Sequence, residues 1–492
     1  MNTQSLKCDR FTSLTSISTA VECYMSTRGG AQIDKLLSLS SSCTIEGSES
    51  LSGEAIIRGK VCHRAIYLDE NGALRTMDYV SDFSTKYSNT LITPTTPLVC
   101  VADVVDSEVS TRSDSEIKVT SAICIQVYAI LSSEIEILGA DESIIQDLDT
   151  IQSTCLVGRG TSDLISSEEV SVGENISNIL LIENNLVISS SALSRDKVTV
   201  NGEVYSTVTY DNDGKVKCKR VTIPFSEEIF VDGAMETDEA FSLGYVKNAR
   251  INLSGEGQDT TLEVECSISL KTYALRSYSH EVVRDCFSTD HTTTIDSAMI
   301  PYGRYLGTIT HSERLEGVIL SNADAVASTS IRNIYLSSVV ADNTNARVEG
   351  VVDVDAVYTI DGIYSCSTLE IPFAIDVSSV NIHPHSTLLS RVCVRDVMPS
   401  IKNGRIEVSI DAFVSIAIFE DDSVLAVREV SLTDDMPPLP PLMLKRIKPG
   451  ESMWEVCKQI CASSEDILAQ NPDLSLPLRE NEIVKYYRRL EV

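Results

Sequence analysis

Metal binding and acid–base work need a few side chain types at usable spacings, and this 492-residue chain offers few such sets. His383-Pro384-His385 puts two imidazoles on one face of an extended segment, as a metal pair would need. The intervening proline and the lack of a third ligand nearby favour an ordinary loop. His280, Cys286 and His291 are ligand types, but their spacing fits no zinc pattern. Cys457 and Cys461 stand at i and i+4 and would share a helix face; a disulfide or metal pair there competes with plain packing of small apolar thiols. Glu134/Glu136 and Asp353/Asp355 alternate along single strands, whereas a glycosidase sets two carboxylates across a cleft. There is no glycine-rich phosphate loop, nucleophile elbow or His-Glu-x-x-His. The residues therefore predict no catalytic site, no metal and no cofactor.

The most ordered local pattern lies near the C-terminus, after the proline-rich run Met436–Pro441. Pro449-Gly450 reads as a turn. Ser452 and Glu455 form a capping box, and Met453, Cys457 and Ile460 then recur on one helix face. Ser463 with Asp466 caps a second short helix carrying Ile467 and Leu468, which Asn471-Pro472 stops. Strand-like runs at Met443–Ile447 and Glu482–Tyr487 flank the pair, giving a small βααβ unit. On Ile447-Lys-Pro449-Gly450-Glu451-Ser452-Met453-Trp454 and Ile467-Leu468-Ala-Gln-Asn471-Pro472 it resembles a LysM domain. The resemblance implies a shallow groove for N-acetylglucosamine-containing glycans, lined by Gly450, Glu451, Ser452 and Met453 and by Asn471, Pro472, Asp473 and Leu474. Arg479-Glu480-Asn481-Glu482 departs from the family's usual turn before the last strand. Trp454 is expected in the core of the domain.

The chain has 40 basic and 71 acidic residues, a net charge of −31. Such a chain repels nucleic acid and anionic membrane surfaces, and it suits a basic partner or, more commonly, simply a solvated acidic surface. No run of about 18 apolar residues predicts a membrane span, and the polar Met1–Ala20 does not predict a secretory signal. The 14 cysteines are scattered and fall in apolar strand patterns, which predicts buried free thiols in a reducing cytoplasm.

The longest pattern is an internal repeat. Ile57-Arg-Gly59…Tyr67…Gly72…Phe83, Val200-Asn-Gly202…Tyr210…Gly214…Phe225 and Val348-Glu-Gly350…Tyr358…Gly362…Phe373 keep the same spacings. Downstream, Val101-Ala-Asp103-Val104 aligns with Val246-Lys-Asn248-Ala249 and Val394-Arg-Asp396-Val397. Long alternating strands start at Ile117, Leu262 and Ile406, and period-two alternation predicts antiparallel sheets with one face buried. The fold class expected is mainly β: three tandem sandwich- or barrel-like modules at 1–148, 149–298 and 299–432, a proline-rich linker at 433–442 and the βααβ domain at 443–492. Ser143–Leu148 and Glu281–Phe287 read as short helical or turn segments at the joints, Ser153–Gly173 as a polar joint, and the N-terminus as frayed.

These repeats, with the Gly-x-Val…Tyr…Gly…Pro-Phe-Ser frame and the Asp285-Cys286-Phe287-Ser288-Thr289 step, resemble the SPOCS family (DUF3794) of endospore-forming bacteria. Tandem units of this kind ending in one LysM domain imply a non-enzymatic spore coat morphogenetic protein. It would work in the mother-cell cytoplasm at the forespore surface, its C-terminal domain contacting the stage IV sporulation ATPase that builds the coat's basement layer. Peptidoglycan of cortex or wall is the alternative partner, self-association stays open, and an enzyme site hidden between repeats is the third reading.

Overall fold

The computed structural model describes residues 2–255, 260–433 and 439–488. The expected linker at 433–442 falls, over 434–438, outside the described residues. The chain is mainly β, as alternation predicted. The first unit holds β1 (Thr3–Ser13), β2 (Ile17–Ser26), β3 (Ile33–Ser50), β4 (Glu54–Asp69), β5 (Leu74–Ser88), β6 (Leu98–Ser113) and β7 (Glu116–Leu138). The second holds β8 (Ile145–Ser171), β9 (Asn178–Ser194), β10 (Lys197–Asn212), β11 (Lys215–Phe230), β12 (Glu239–Ser254) and β13 (Thr261–Phe287). The third holds β14 (Thr292–Ile319), β15 (Ala325–Asp342), β16 (Asn345–Ile360), β17 (Ile363–Ser378), β18 (Ser386–Lys402) and β19 (Arg405–Thr433). Each unit pairs two antiparallel sheets: β9-β10-β11 with β12-β13-β8, β15-β16-β17 with β14-β19-β18, and β3-β4-β5 with β6, β1 and β2 on β7. β1 and β2 pair end to end with β7, as β8 pairs whole with β13.

The spaced glycines and phenylalanines acquire a cause here. Gly59, Gly202 and Gly350 sit directly across from Phe83, Phe225 and Phe373. A Cβ on any of them would fall within 2.5–2.6 Å of the facing ring and against the carbonyl of Thr44, Val187 or Tyr335. The neighbouring strand bulges at the same level each time, near Ile45/Gly47, opposite Gly202 and near Leu336/Ser338, so only glycine admits both the bulge and the ring. Asp213-Gly214 and Asp361-Gly362 take left-handed φ of 51° and 82°, and of 50° and 77°, as two-residue hairpin turns require.

Several expectations need correction. Glu281–Phe287 is strand, paired with β8 as far as Ile145↔Phe287 with one register shift between Val283 and Asp285, and of Ser143–Leu148 the residues from Ile145 on are the start of β8. Ser153–Gly173 is mostly β8 itself; its polar side alternates outward, and polarity without apolar neighbours hid the strand. Residues from Thr3 onward are locked against β7. The bulge register also shifts one alignment. Val104↔Ile123, Val246↔Ile268 and Val394↔Ala412 are equivalent, so the counterpart of Asn248 and Asp396 is Asp106, three residues after Asp103.

The three units close around a common axis. Phe11 stacks on Phe419 at 3.7 Å, Phe241 on Tyr273 at 4.7 Å, and Phe241 meets Phe419 edge-on at 5.4 Å. One aromatic cluster thus takes rings from all three units, each pair worth about 0.5–1.5 kcal/mol beyond area burial. Beyond it the ribbons β1–β7, β8–β13 and β14–β19 run on and pack through Leu6, Ile137, Ile151, Val282, Ile300 and Ala426. At the tip of the middle ribbon sits a C-terminal module of β20 (Leu442–Arg446), α1 (Met453–Ile460), α2 (Ser464–Gln470) and β21 (Ile483–Tyr487), with β20 and β21 antiparallel. No helix of the described residues is long and apolar enough to cross a membrane.

Candidate functional site

The C-terminal module is built as its sequence prescribes. Ser452 Oγ accepts the Glu455 N–H at 3.2 Å, and the Glu455 carboxylate accepts the Ser452 N–H at 2.7 Å. Ser463 Oγ likewise accepts the Asp466 N–H at 3.0 Å. Val456, Cys457, Ile460, Ala462, Ile467 and Val484 form the core. Burial pushes the Cys457 thiol up to about 11, and Cys461 is a free thiol bonded to the Lys458 carbonyl, so the two pack and do not pair.

The eight residues expected to line a groove separate into two kinds. Gly450, Ser452, Pro472 and Asp473 are exposed, Gly450 with φ 75°. Met453 and Leu474 lie half-buried on the core. Glu451 and Asn471 are structural. The Glu451 carboxylate takes Lys445 Nζ at 2.8 Å and the Lys448 N–H at 2.9 Å, which hold it below the usual carboxylate range. The Asn471 side chain donates to the carbonyls of Ile467 and Lys485, both at 2.7 Å, and accepts the Lys485 N–H at 2.9 Å. It clamps the end of α2 to β21.

Trp454 is not at the centre of this core. It lies at a seam with the second unit. Its Nε1 donates to Asp285 at 2.9 Å, its ring meets Phe287 edge-on at 5.2 Å, and Lys458, one turn later, reaches both Asp285 oxygens at 2.7 Å. Phe287 and Ile145 from the ribbon tip complete the module's own apolar cluster. Burial pushes the Asp285 carboxyl up, but Lys458 and the Trp454 N–H outweigh it and hold it low. The sequence singled out Asp285-Cys286-Phe287 as a motif and Trp454 as a landmark; their contact spans 169 residues and had no local signal.

The remaining candidates stay apart. His383 and His385 are exposed in the loop before β18, and His280 bonds Ser153 Oγ at 3.1 Å. Asp355 accepts the Leu39 N–H and the Thr368 hydroxyl, while Asp353 takes Asn333. Among the described residues no group of three metal-ligating side chains converges. A serine–histidine pair that sequence reasoning missed, Ser41 and His63 at 3.0 Å, is buried inside the first unit, and burial pushes the imidazole down to about 4.

A cavity of about 240 Å³ lies where the units meet, lined by Arg64, Asp103, Glu183, Asn333 and Arg391. Burial pushes Glu183 up to about 8 and Asp103 up to about 6. Glu183 accepts the Ile331 N–H at 2.9 Å, Arg64 donates to the Ile182 carbonyl, and Arg391 donates to the Gly244 carbonyl at 2.8 Å. These bonds tie one unit to the next.

Residues 175–268 match the family model described as SipL, SPOCS domain. The matched stretch runs from β9 to the first part of β13, most of the second sandwich. No curated protein and no solved structure matches the chain.

Proposed function

We propose, from the SPOCS domain that residues 175–268 carry, that this sporulation-related protein is a non-enzymatic adaptor of spore coat assembly in the mother-cell cytoplasm. On this reading all three units are SPOCS modules and the βααβ module is of the LysM type. The loops bearing Gly450, Ser452, Pro472 and Asp473 face a protein partner, the coat-building ATPase. The observation that carries the reading is the seam of Trp454 and Lys458 on Asp285 and Phe287. It fixes the module on the ribbon tip and holds the indole against protein, where it is not free to stack on a sugar ring. A module held rigidly presents its loops in one orientation, which lowers the entropic cost of binding a protein surface.

Glycan binding by the same loops is the rival reading. Because Phe287 belongs to the module's core, the test uses the full chain beside a version ending at Thr433. Each is offered insoluble peptidoglycan and lysate of sporulating cells, with captured proteins identified by mass spectrometry. Capture of the ATPase by the full chain alone, without sedimentation on peptidoglycan, is the expected result. Sedimentation competed by soluble chitin fragments would overturn it in favour of the glycan.

A further inference from the structure

The C-terminal module carries a second face that the described chain leaves open. β20 and β21 pair antiparallel from Leu442↔Tyr487 to Arg446↔Ile483. Strand alternation turns Met443, Val484 and Tyr486 toward α1 and α2, where they join the module's apolar cluster. Lys445 points the same way and ends on Glu451 at 2.8 Å. The opposite face of the hairpin is Leu442, Leu444, Arg446, Ile483, Lys485 and Tyr487, and all six are exposed. The four apolar residues among them are 45–63 % exposed. A lone exposed leucine needs no explanation. Four large apolar side chains on one short hairpin face make a patch of the kind that marks a contact surface. The seam does not use it, because Trp454 and Lys458 meet the ribbon tip from α1.

The charges on this face set it apart from the rest of the molecule. Residues 443–492 hold eight basic and eight acidic residues, so the chain's charge of −31 resides outside the module. Within the module the signs are separated. Glu455, Glu465 and Asp466 sit in the first turns of the helices, and Glu451 is taken by Lys445. On the open face Arg446 and Lys485 stand beside the apolar patch, and neither side chain has an ion pair among the described residues. Two unpaired cations are unusual in a chain with 71 acidic residues.

We infer that the open face of β20 and β21 docks a partner protein through a short segment that combines large apolar side chains with aspartate or glutamate. The apolar side chains cover Leu442, Leu444, Ile483 and Tyr487, and the carboxylates reach Arg446 and Lys485. Complementary charge then sets which segments fit. A second copy docking by the same face would bring the two cations of each copy into one contact. An anionic membrane would attract these two cations while repelling the acidic β-units. The face includes none of the loop residues Gly450, Ser452, Pro472 and Asp473, so failure here leaves the adaptor reading standing.

The test selects short random peptides displayed on phage against the full chain, after depletion on a full chain carrying Arg446→Glu and Lys485→Glu. The recovered sequences are expected to be rich in Asp or Glu beside Leu, Ile, Phe or Trp. A synthetic copy of the most frequent one, titrated by calorimetry, should bind the natural chain about tenfold or more tightly than it binds Leu444→Ser, Ile483→Ser or the charge-reversed chain. Melting curves confirm that each variant folds, and the exposure of these side chains makes unchanged melting the expected result. Failure to recover any peptide that needs the two cations, recovery of sequences without acidic residues, or equal binding to the folded Leu444→Ser and Ile483→Ser chains would each overturn the proposal. The natural chain is also sedimented with vesicles containing phosphatidylglycerol, and alone at rising concentration. Vesicle binding that Leu444→Ser abolishes would overturn the proposal in favour of a membrane, and self-association that Leu444→Ser abolishes would overturn it in favour of a second copy.

Discussion

At the scale of single residues, Trp454 and Asp285 decide how the C-terminal module is held. Trp454→Phe keeps the ring on Phe287 and loses the bond to Asp285; a cost of about 1 kcal/mol is expected. Trp454→Ala also removes the ring, and about 2–4 kcal/mol is expected for a half-buried indole. Hydrogen exchange at Val456, Ile460 and Val484 should report both changes locally, with the β-units unaffected; equal protection in the two variants would refute the seam. Asp285 has a folded pKa below its unfolded value, so its contribution is present above about pH 4 and is lost as pH falls through the lower folded value. The protection of the module should therefore drop below about pH 4, and Asp285→Asn should remove that step.

At the scale of elements, the strands were legible because alternation and turn chemistry agree. Gly202 and Phe225 recur at matched spacing for one physical reason, a ring lying over a glycine beside a bulge. Gly202→Ala should cost at least about 1–3 kcal/mol by overpacking, measured as a shift in urea midpoint without a change in slope. Capping signals at Ser452 and Ser463 likewise located both helices. What failed was local pattern without local cause. Ser153–Gly173 is too polar to read as a strand until β13 lies beside it. The Val-x-Asp step in the first unit aligns on Asp103 by sequence, and the bulge register puts Asp106 in that place instead. Of the expected groove residues, Asn471 read as exposed stop signal and binding group, whereas its amide joins α2 to β21. Asn471→Ala should thus lower the stability of the module by about 1–3 kcal/mol through the unpaired Lys485 amide, seen as early melting of the module, before any effect on a partner.

At the scale of the whole molecule, the junction of the units should respond to pH. Glu183, pushed up to about 8, keeps a proton that the unfolded chain releases near pH 4.3. The folded state binds more protons between those values, so this residue's effect is to lower stability as pH rises from about 4 to 8. Glu183→Gln should flatten that fall, by an amount on the order of 3–4 kcal/mol between pH 5 and 8, read from urea melts at three pH values. An identical slope in the variant would show that the carboxyl does not titrate at the junction.

The meeting of the third unit with the first has its own consequence. Gly303 packs on the backbone of Asp9 and Arg10, Tyr128 donates to the Leu388 carbonyl, and Ser38 bonds Ser330. A linear array of repeats grows or shrinks by whole copies because its ends are open. Here the last copy abuts the first, so the count is closed at three. Duplicating or deleting one copy would break the circle, whereas cutting the chain between copies and joining the old ends with a linker would leave every interface in place.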